Sequence, residues 1–359
     1  MADTLLTVQD LTVIFSRRGW LGRANWRLAA VDRVSLEIGA SETLGLVGES
    51  GSGKTTLGRA ILRLTSVQSG GISYRGQDVL ALRGRELNHY RKEVQAIFQD
   101  PYSSLNPSMP VGDILAEPMQ IHLRLGAKER DRRTANLLEQ VGLAHGTSEK
   151  FPHELSGGQR QRVAIARALA MEPRLLICDE PLSALDVSTQ SQIVNLLQEL
   201  QERLELSYLF ISHNLGIVRH MSHRIAVMYR GRLVEEGPRE RIYGSPGHPY
   251  TSALLAAVAV PNPRLQRERR ERRRSLSLVV EGEFASHGGC HYRDRCPFAM
   301  DVCRDETPEL ERMLGGGAAA CHLHILGPRL LGRSVNELTP EVQPSPAISR
   351  YAMRREGDK

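Results

Sequence analysis

The chain has 359 residues, net charge +6, 41% hydrophobic and 25% charged residues. That is the balance of an ordinary globular protein and gives ample length for a buried core. No apolar run approaches the ~20 residues that cross a bilayer, and the start, MADTLLTVQD, lacks a basic region followed by an apolar run. A cytosolic protein is expected, held at any membrane by other chains.

In chain order, LLTVQDLTVIF and AAVDRVSLEI carry β-branched residues in loose alternation and read as short strands broken by polar residues. ETLGLVGESGSGKTTLGRAILRL follows as strand, glycine-rich loop and helix. Residues from about Pro101 to Leu155 read as mostly helical. Segment 156–170, SGGQRQRVAIARALA, is a helix entered through a glycine turn. Leu175–Cys178 is a buried strand, 188–204 a helix, 207–212 a strand, and Ile225–Glu236 a closing hairpin. Alternating strands and helices predict an α/β core around a mainly parallel sheet. From about Pro261 the composition turns arginine-rich, then rich in cysteine and glycine, and a boundary is expected there: a main unit over 1–260, an extension over 261–330 and a polar tail over 331–359. There is no internal repeat, so the main unit is expected once, not as a fused pair.

The residues from Gly48 through Glu49, Ser50, Gly51, Ser52 and Gly53 to Lys54 and Thr55 match the P-loop pattern, with Thr56 next. Glycines let the backbone curl its N–H groups around phosphate oxygens, and the following helix adds its positive end. Lys54 supplies a full charge near the outer phosphates and Thr55 a hydroxyl for Mg2+. A second apolar strand ends in Asp179 and Glu180. One acid can hold Mg2+ and the next polarise a water aimed at the terminal phosphate, a division suited to phosphoryl transfer.

Leu155-Ser156-Gly157-Gly158-Gln159 is a second anion-binding helix start. Together with the P-loop it resembles the signature of ABC ATPases. Gln99 fits that family's Q-loop, Asp186 (in SALD) its D-loop, His213 its switch histidine and Phe15 its adenine-stacking aromatic; the resemblance runs over about residues 5–260. It implies an ABC-type P-loop core with an N-terminal antiparallel β subdomain, a helical subdomain over about 101–170, and head-to-tail pairing. One chain's P-loop and its partner's Ser156–Gln159 then sandwich each ATP, Gln99 and Asp179 attend the Mg2+, and Glu180 and His213 attend the terminal phosphate.

VGESGSGKTTLGRAILRL, IFQDPYSSLNPSM, HPYTSALLAAV and GGCHYRDRCPFAMDVC resemble ATPase subunits of dipeptide/oligopeptide importers. SRRGWLGRANWRLAAVD is similar to the second of that family's two ATPase types. The resemblance implies a second, homologous ATPase, two transmembrane permeases, an external binding protein, and a place at the cytoplasmic face of the inner membrane. Nickel, glutathione or another small nutrient is the alternative cargo. Translation and DNA-repair ABC proteins fit poorly: there is one ATPase unit and no long insertion between Lys54 and Ser156.

Cys290, Cys296, Cys303 and Cys321 are separated by five, six and seventeen residues. In a cytosolic chain such clustering favours metal over disulfides. The absence of a tight C-x2-C pair favours a [4Fe–4S] cluster; zinc, with His287, His291, His322 or His324 as further ligands, is the alternative. Arg264–Arg274 holds seven arginines among eleven residues, a solvated linker or a patch attracted to anionic lipid.

Overall fold

The computed structural model describes residues 4–18, 24–100, 104–258, 288–313, 315–325, 330 and 334–338. The chain forms two compact units, residues 1–244 with 309–320, and residues 245–308 with 321–359.

In the first unit β1 (Thr4–Arg18) and β2 (Ala24–Gly39) pair antiparallel and continue through β4 (Ser69–Tyr74) to β5 (Gln77–Asp78). β1 and β2 are longer than the short strands expected. Their polar interruptions are bulges, not ends. Asp10 and Arg33 take φ of 44° and 48°, the register slips between Val8 and Leu11, and the Ser35 hydroxyl accepts the Asp10 N–H at 2.9 Å. A bulge turns a strand without ending it.

The second sheet runs β6 (Val94–Ile97), β7 (Leu175–Asp179), β8 (Ser207–Ile211), β3 (Thr43–Val47), β9 (Arg224–Tyr229) and β10 (Arg232–Pro238). From β6 to β9 every pairing is parallel. β3, β7 and β8 are buried at every position, as strands covered on both faces must be, hence their continuous apolar runs. β10 returns antiparallel to β9 as the expected hairpin. Its outer edge is covered by β12 (Ala318–Ala319), which pairs with β11 (Glu311–Arg312).

α1 (Lys54–Ile61) leaves the loop after β3, and α2 (Gly84–Glu93) leads into β6. Between β6 and β7 lie α3 (Val111–Leu123), α4 (Ala127–Gln140) and α5 (Gly157–Leu169), the expected helical region. α6 (Val187–Leu204), α7 (Leu215–Met221) and α8 (Arg239–Gly244) complete the unit. One core joins the two sheets through Leu6, Leu11, Ile38, Leu44, Leu57 and Ile177.

The second unit contains α9 (Pro249–Ala256), α10 (Val302–Asp305) and α11 (His322–Ile325). Ser252 donates to Asn336 Oδ1 at 2.8 Å, and the Val335 N–H to the Pro246 carbonyl at 2.9 Å. α9 therefore packs with tail residues, and the chain passes from the first unit to the second after Gly244, ahead of the composition change. Arg264–Arg274 and His287 lie outside the described residues.

Candidate functional site

Parallel strands share a direction, so β6, β7, β8, β3 and β9 all end on one edge, where open α/β sheets place ligands. Gly48 follows β3, Asp179 ends β7, and His213 follows β8 by two residues. Gln99 follows β6 by two and is exposed. Residues distant in sequence therefore meet because of strand order alone.

The P-loop bends through Gly51 (φ 78°) and Gly53 (φ 102°). A Cβ on Gly53 would stand 2.0 Å from the Ala30 carbonyl oxygen. The loop is thus pressed against β2 as well as curled, and it is pinned there: the Gly231 N–H donates to Ser52 O at 2.9 Å and the Asp32 N–H to Gly231 O at 2.8 Å. Lys54 is 5% exposed. Its ammonium donates to the carbonyls of Gly48 (2.9 Å) and Glu49 (2.8 Å) and to Ser52 Oγ (3.2 Å). Burial pulls its pKa below the usual lysine value, opposed by the charges of Glu180, Asp179 and Glu49.

The Thr55 hydroxyl donates to Asp179 Oδ1 at 2.9 Å. Asp179 is 7% exposed. Burial raises its pKa most, the Thr55 hydrogen bond opposes this, and Glu180 raises it further. A buried carboxylate beside a hydroxyl, at the mouth of a phosphate-binding loop, offers the oxygen donors that suit a divalent cation. Glu180 turns away through a left-handed backbone, φ 47°, and its Oε2 lies 3.1 Å from His213 Nδ1. One sequence step thus sends two carboxylates to different tasks.

Ser156 caps α5: its Oγ accepts the Gln159 N–H at 3.3 Å, and Gln159 Oε1 accepts the Ser156 N–H at 3.0 Å. Gly158 lies close to Thr189, whose methyl a Cβ there would approach to 2.6 Å. Asp186 caps α6, accepting the N–H (2.9 Å) and hydroxyl (2.7 Å) of Thr189, and these bonds with that of Ser188 hold its carboxyl well below the usual range. Glycines at the α5 start therefore let it pack on the α6 start. Ser156 and Gln159 hydrogen-bond each other, and the Lys54 ammonium hydrogen-bonds within the P-loop. Phe15 pairs across the sheet with Leu28, and both are exposed, at 42% and 48%. Leu28 was missed in the sequence; its position two residues before Ala30, the P-loop contact, marks it.

α3 and α4 border a groove of about 740 Å³ lined by Asp113, Glu117, Ile121, Asp131 and the buried Thr134. Ile121 is 61% exposed, and the Thr134 hydroxyl has no partner among the described residues.

In the second unit none of the four tail cysteines forms a disulfide with a described residue, and all four line one cavity of about 10 Å³, with His248, Tyr292 and His322 in its wall. Burial pushes the Cys290 and Cys296 thiols up, with Cys321 adding most among the other thiols at Cys296. Among the described residues no three His, Cys, Asp or Glu side chains stand ready to hold a metal ion. The four cysteines named from their spacing thus line one cavity, which has room for about one water.

Residues 31–183 match the ABC transporter family and residues 234–303 the oligopeptide/dipeptide transporter C-terminal region. A probable peptide ABC transporter ATP-binding protein of Sinorhizobium fredii is 45% identical over 90% of this chain and 91% of its own. The chain belongs to the ABC transporter ATP-binding family, in its oligopeptide/dipeptide branch. An oligopeptide transport ATP-binding protein of Salmonella typhimurium is 46% identical over 86% of this chain and 92% of its own. Among solved structures, a dimeric ATP-binding cassette in a post-hydrolysis state with ADP and Pi is 27% identical, covers 66% of this chain and 99% of its own, and superposes with a TM-score of 0.59. A Clostridium perfringens ABC transporter component is 29% identical, covers 67% and 91%, with a TM-score of 0.58. The ABC fold expected from the sequence is thereby established, and with it an ATP-hydrolysing activity. No described helix of this ABC ATPase is long and apolar enough to cross a membrane.

Proposed function

We propose that this chain hydrolyses ATP to drive the import of dipeptides or oligopeptides, working at the cytoplasmic face of the membrane with a second, homologous ATPase, two permeases and an external binding protein. The observation that carries the reading is the convergence of Lys54, the Thr55–Asp179 pair and the Glu180–His213 pair at one edge of the parallel sheet. The relatives' names supply the cargo class.

Gly48–Thr56 cradle the phosphates of the substrate ATP, with Lys54 exchanging loop carbonyls for phosphate oxygens. Phe15 stacks on the adenine. Thr55 and Asp179, with Gln99, are the residues to hold Mg2+, which when bound shields the charge of the phosphate oxygens. Glu180 takes a proton from the attacking water as the water oxygen bonds to the terminal phosphorus and the bond to the ADP oxygen breaks. His213, in contact with Glu180, orients that carboxylate and the phosphate. Ser156–Gln159 and Asp186 face the nucleotide of the partner ATPase. The α3–α4 groove, with three carboxylates and exposed Ile121, suits a permease segment that is apolar on one face and basic on its rim. In the tail, Cys290, Cys296, Cys303 and Cys321 hold a structural metal, a [4Fe–4S] cluster or zinc. Their gathering round one cavity supports this; a cluster requires the thiols to swing outward.

The test is Glu180→Gln in the isolated transporter. Loss of a general base lowers turnover by about 10²–10⁴-fold, and ATP remains bound in a closed ATPase dimer. Near-normal phosphate release removes Glu180 from this role.

A further inference from the structure

β9 ends at Tyr229 and β10 begins at Arg232, so Arg230 and Gly231 form the whole turn between them. Both lie in the left-handed region, at φ 44° and 83°, as a two-residue hairpin of this kind requires. The turn lies against the P-loop. A Cβ on Gly48 would stand 2.2 Å from the Met228 carbonyl oxygen, and the Gly231 N–H donates to the Ser52 carbonyl at 2.9 Å. In a planar trans peptide the C=O and N–H point opposite ways. A Ser52 oxygen fixed on the turn therefore directs the Gly53 N–H away from the turn, and backbone N–H groups are what a P-loop offers to phosphate.

The turn is in its own right held from β2. Asp32 grips it twice: its N–H donates to the Gly231 carbonyl at 2.8 Å, and its Oδ2 accepts from Arg232 Nε at 2.7 Å. The side chains of Arg232 and Asp32 are 18% and 23% exposed, so solvent screens the pair only in part. A hydrogen bond between two charged groups is also the strong kind. Neither residue lies in a motif of the nucleotide site, yet together they fix the backbone on which that site rests.

We infer that Arg232, through Asp32, is a positioning residue for ATP binding. The ion pair holds the Arg230–Gly231 turn where it sets the Ser52–Gly53 peptide for the phosphates. This rests on the reading of residues 48–56 as the phosphate cradle.

For the full-length chain, a fluorescent ATP analogue reads affinity and thermal melting reads stability; the isolated transporter gives KM and kcat. Arg232→Ala is expected to raise Kd and KM together, by roughly tenfold and up to the ~100-fold that an ångström of misplacement can cost. Its kcat at saturating ATP stays close to wild type. Arg232→Lys, which keeps a charge for Asp32, restores most of the affinity. Arg232→Ala and Asp32→Ala combined weaken binding no more than the stronger single change, because both remove one clamp. Arg224→Ala is the control. Arg224 donates to Glu42 at 3.1 Å at the opposite end of β9, so its loss lowers the melting temperature and leaves Kd unchanged. An unchanged Kd in Arg232→Ala, or an equal loss of affinity in Arg224→Ala, overturns the positioning role and leaves the phosphate site standing. A wild-type chain with no affinity for the nucleotide overturns the reading of residues 48–56, and Arg232 with it.

Discussion

Gly53→Ala is expected to impose two separable costs on the P-loop. The residue has φ 102°, where a side chain is strained by about 1–3 kcal/mol. Its new Cβ also falls 2.0 Å from the Ala30 oxygen and 2.9 Å from Met228 Cε. The methionine end can move. The carbonyl cannot easily do so, because the neighbouring backbone is tied through Gly231 to both Ser52 and Asp32. Overpacking of this kind costs about 1–3 kcal/mol more, giving about 2–6 kcal/mol in all. Gly51→Ala is the control: φ is 78° with nothing within 4 Å of the added Cβ, so it carries the strain alone. Urea unfolding of the nucleotide-free chain, followed by circular dichroism, reads the stability of each variant, and a fluorescent ATP analogue reads the loop. Gly53→Ala should be the less stable by about 1–3 kcal/mol and should lose nucleotide binding. Equal midpoints and equal affinity in the two variants would refute the claim that β2 braces the P-loop.

Two further substitutions separate folding from function. Asp179 has a raised folded pKa, so its contribution to stability is full below the unfolded carboxylate value and is lost as pH rises through the folded one. At neutral pH Asp179→Asn should leave the nucleotide-free chain as stable or more so, while removing the Mg2+-dependent part of the ~2.7 kcal/mol that ATP adds at a hundred times its Kd. Thermal melts with and without Mg2+ and ATP decide, and a destabilised apo variant counts against the buried-charge argument. Ser156→Ala should cost about 1 kcal/mol through loss of the α5 cap, whereas Ser156→Asp caps equally well and sets a negative charge toward the partner's phosphates. Wild-type melting with lost turnover is expected for the Asp variant; full turnover would detach Ser156 from the nucleotide.

How much of this was legible depended on how local each feature is. The P-loop, the Asp179–Glu180 pair and the α5 start are short runs whose backbone is set by their own glycines and caps, so they could be placed from the sequence, the last two with the help of the family resemblance. The parallel core was legible because β3, β7 and β8 are apolar at nearly every position. The outer edge of the sheet was not. β12 is two alanines after three glycines, with no alternation to mark a strand. It pairs with β10 because Gly317, at φ 83°, lets the backbone approach Glu236, whose oxygen a Cβ would meet at 2.3 Å. β1 and β2 were underestimated because Asp10 and Arg33 look like strand ends and act as bulges. In the tail the cysteines stood out by rarity and by lying together in the last seventy residues.

The left-handed backbone at Glu180 is a conformation that glutamate adopts at some cost. Simple strand alternation would already place Asp179 and Glu180 on opposite faces, so the turn serves another end. The Glu180 N–H still donates to Ile211 at 3.0 Å, keeping the residue attached to β8. The Glu180 carbonyl meanwhile accepts from the Ser183 N–H at 3.3 Å and from the Ser183 hydroxyl at 3.2 Å, starting the turn that leads to Asp186. The carboxylate is thereby aimed at His213 on the next strand, and the chain leaves toward the α6 start in the same step. On the proposed function, the residue that handles water and the loop that faces a partner ATPase are joined at one left-handed residue. On the same proposal, a shift of the Asp186 cap on dimer closure would reach the Glu180 carbonyl through Ser183, three residues before Asp186, and so would tie the readiness of the base to the partner.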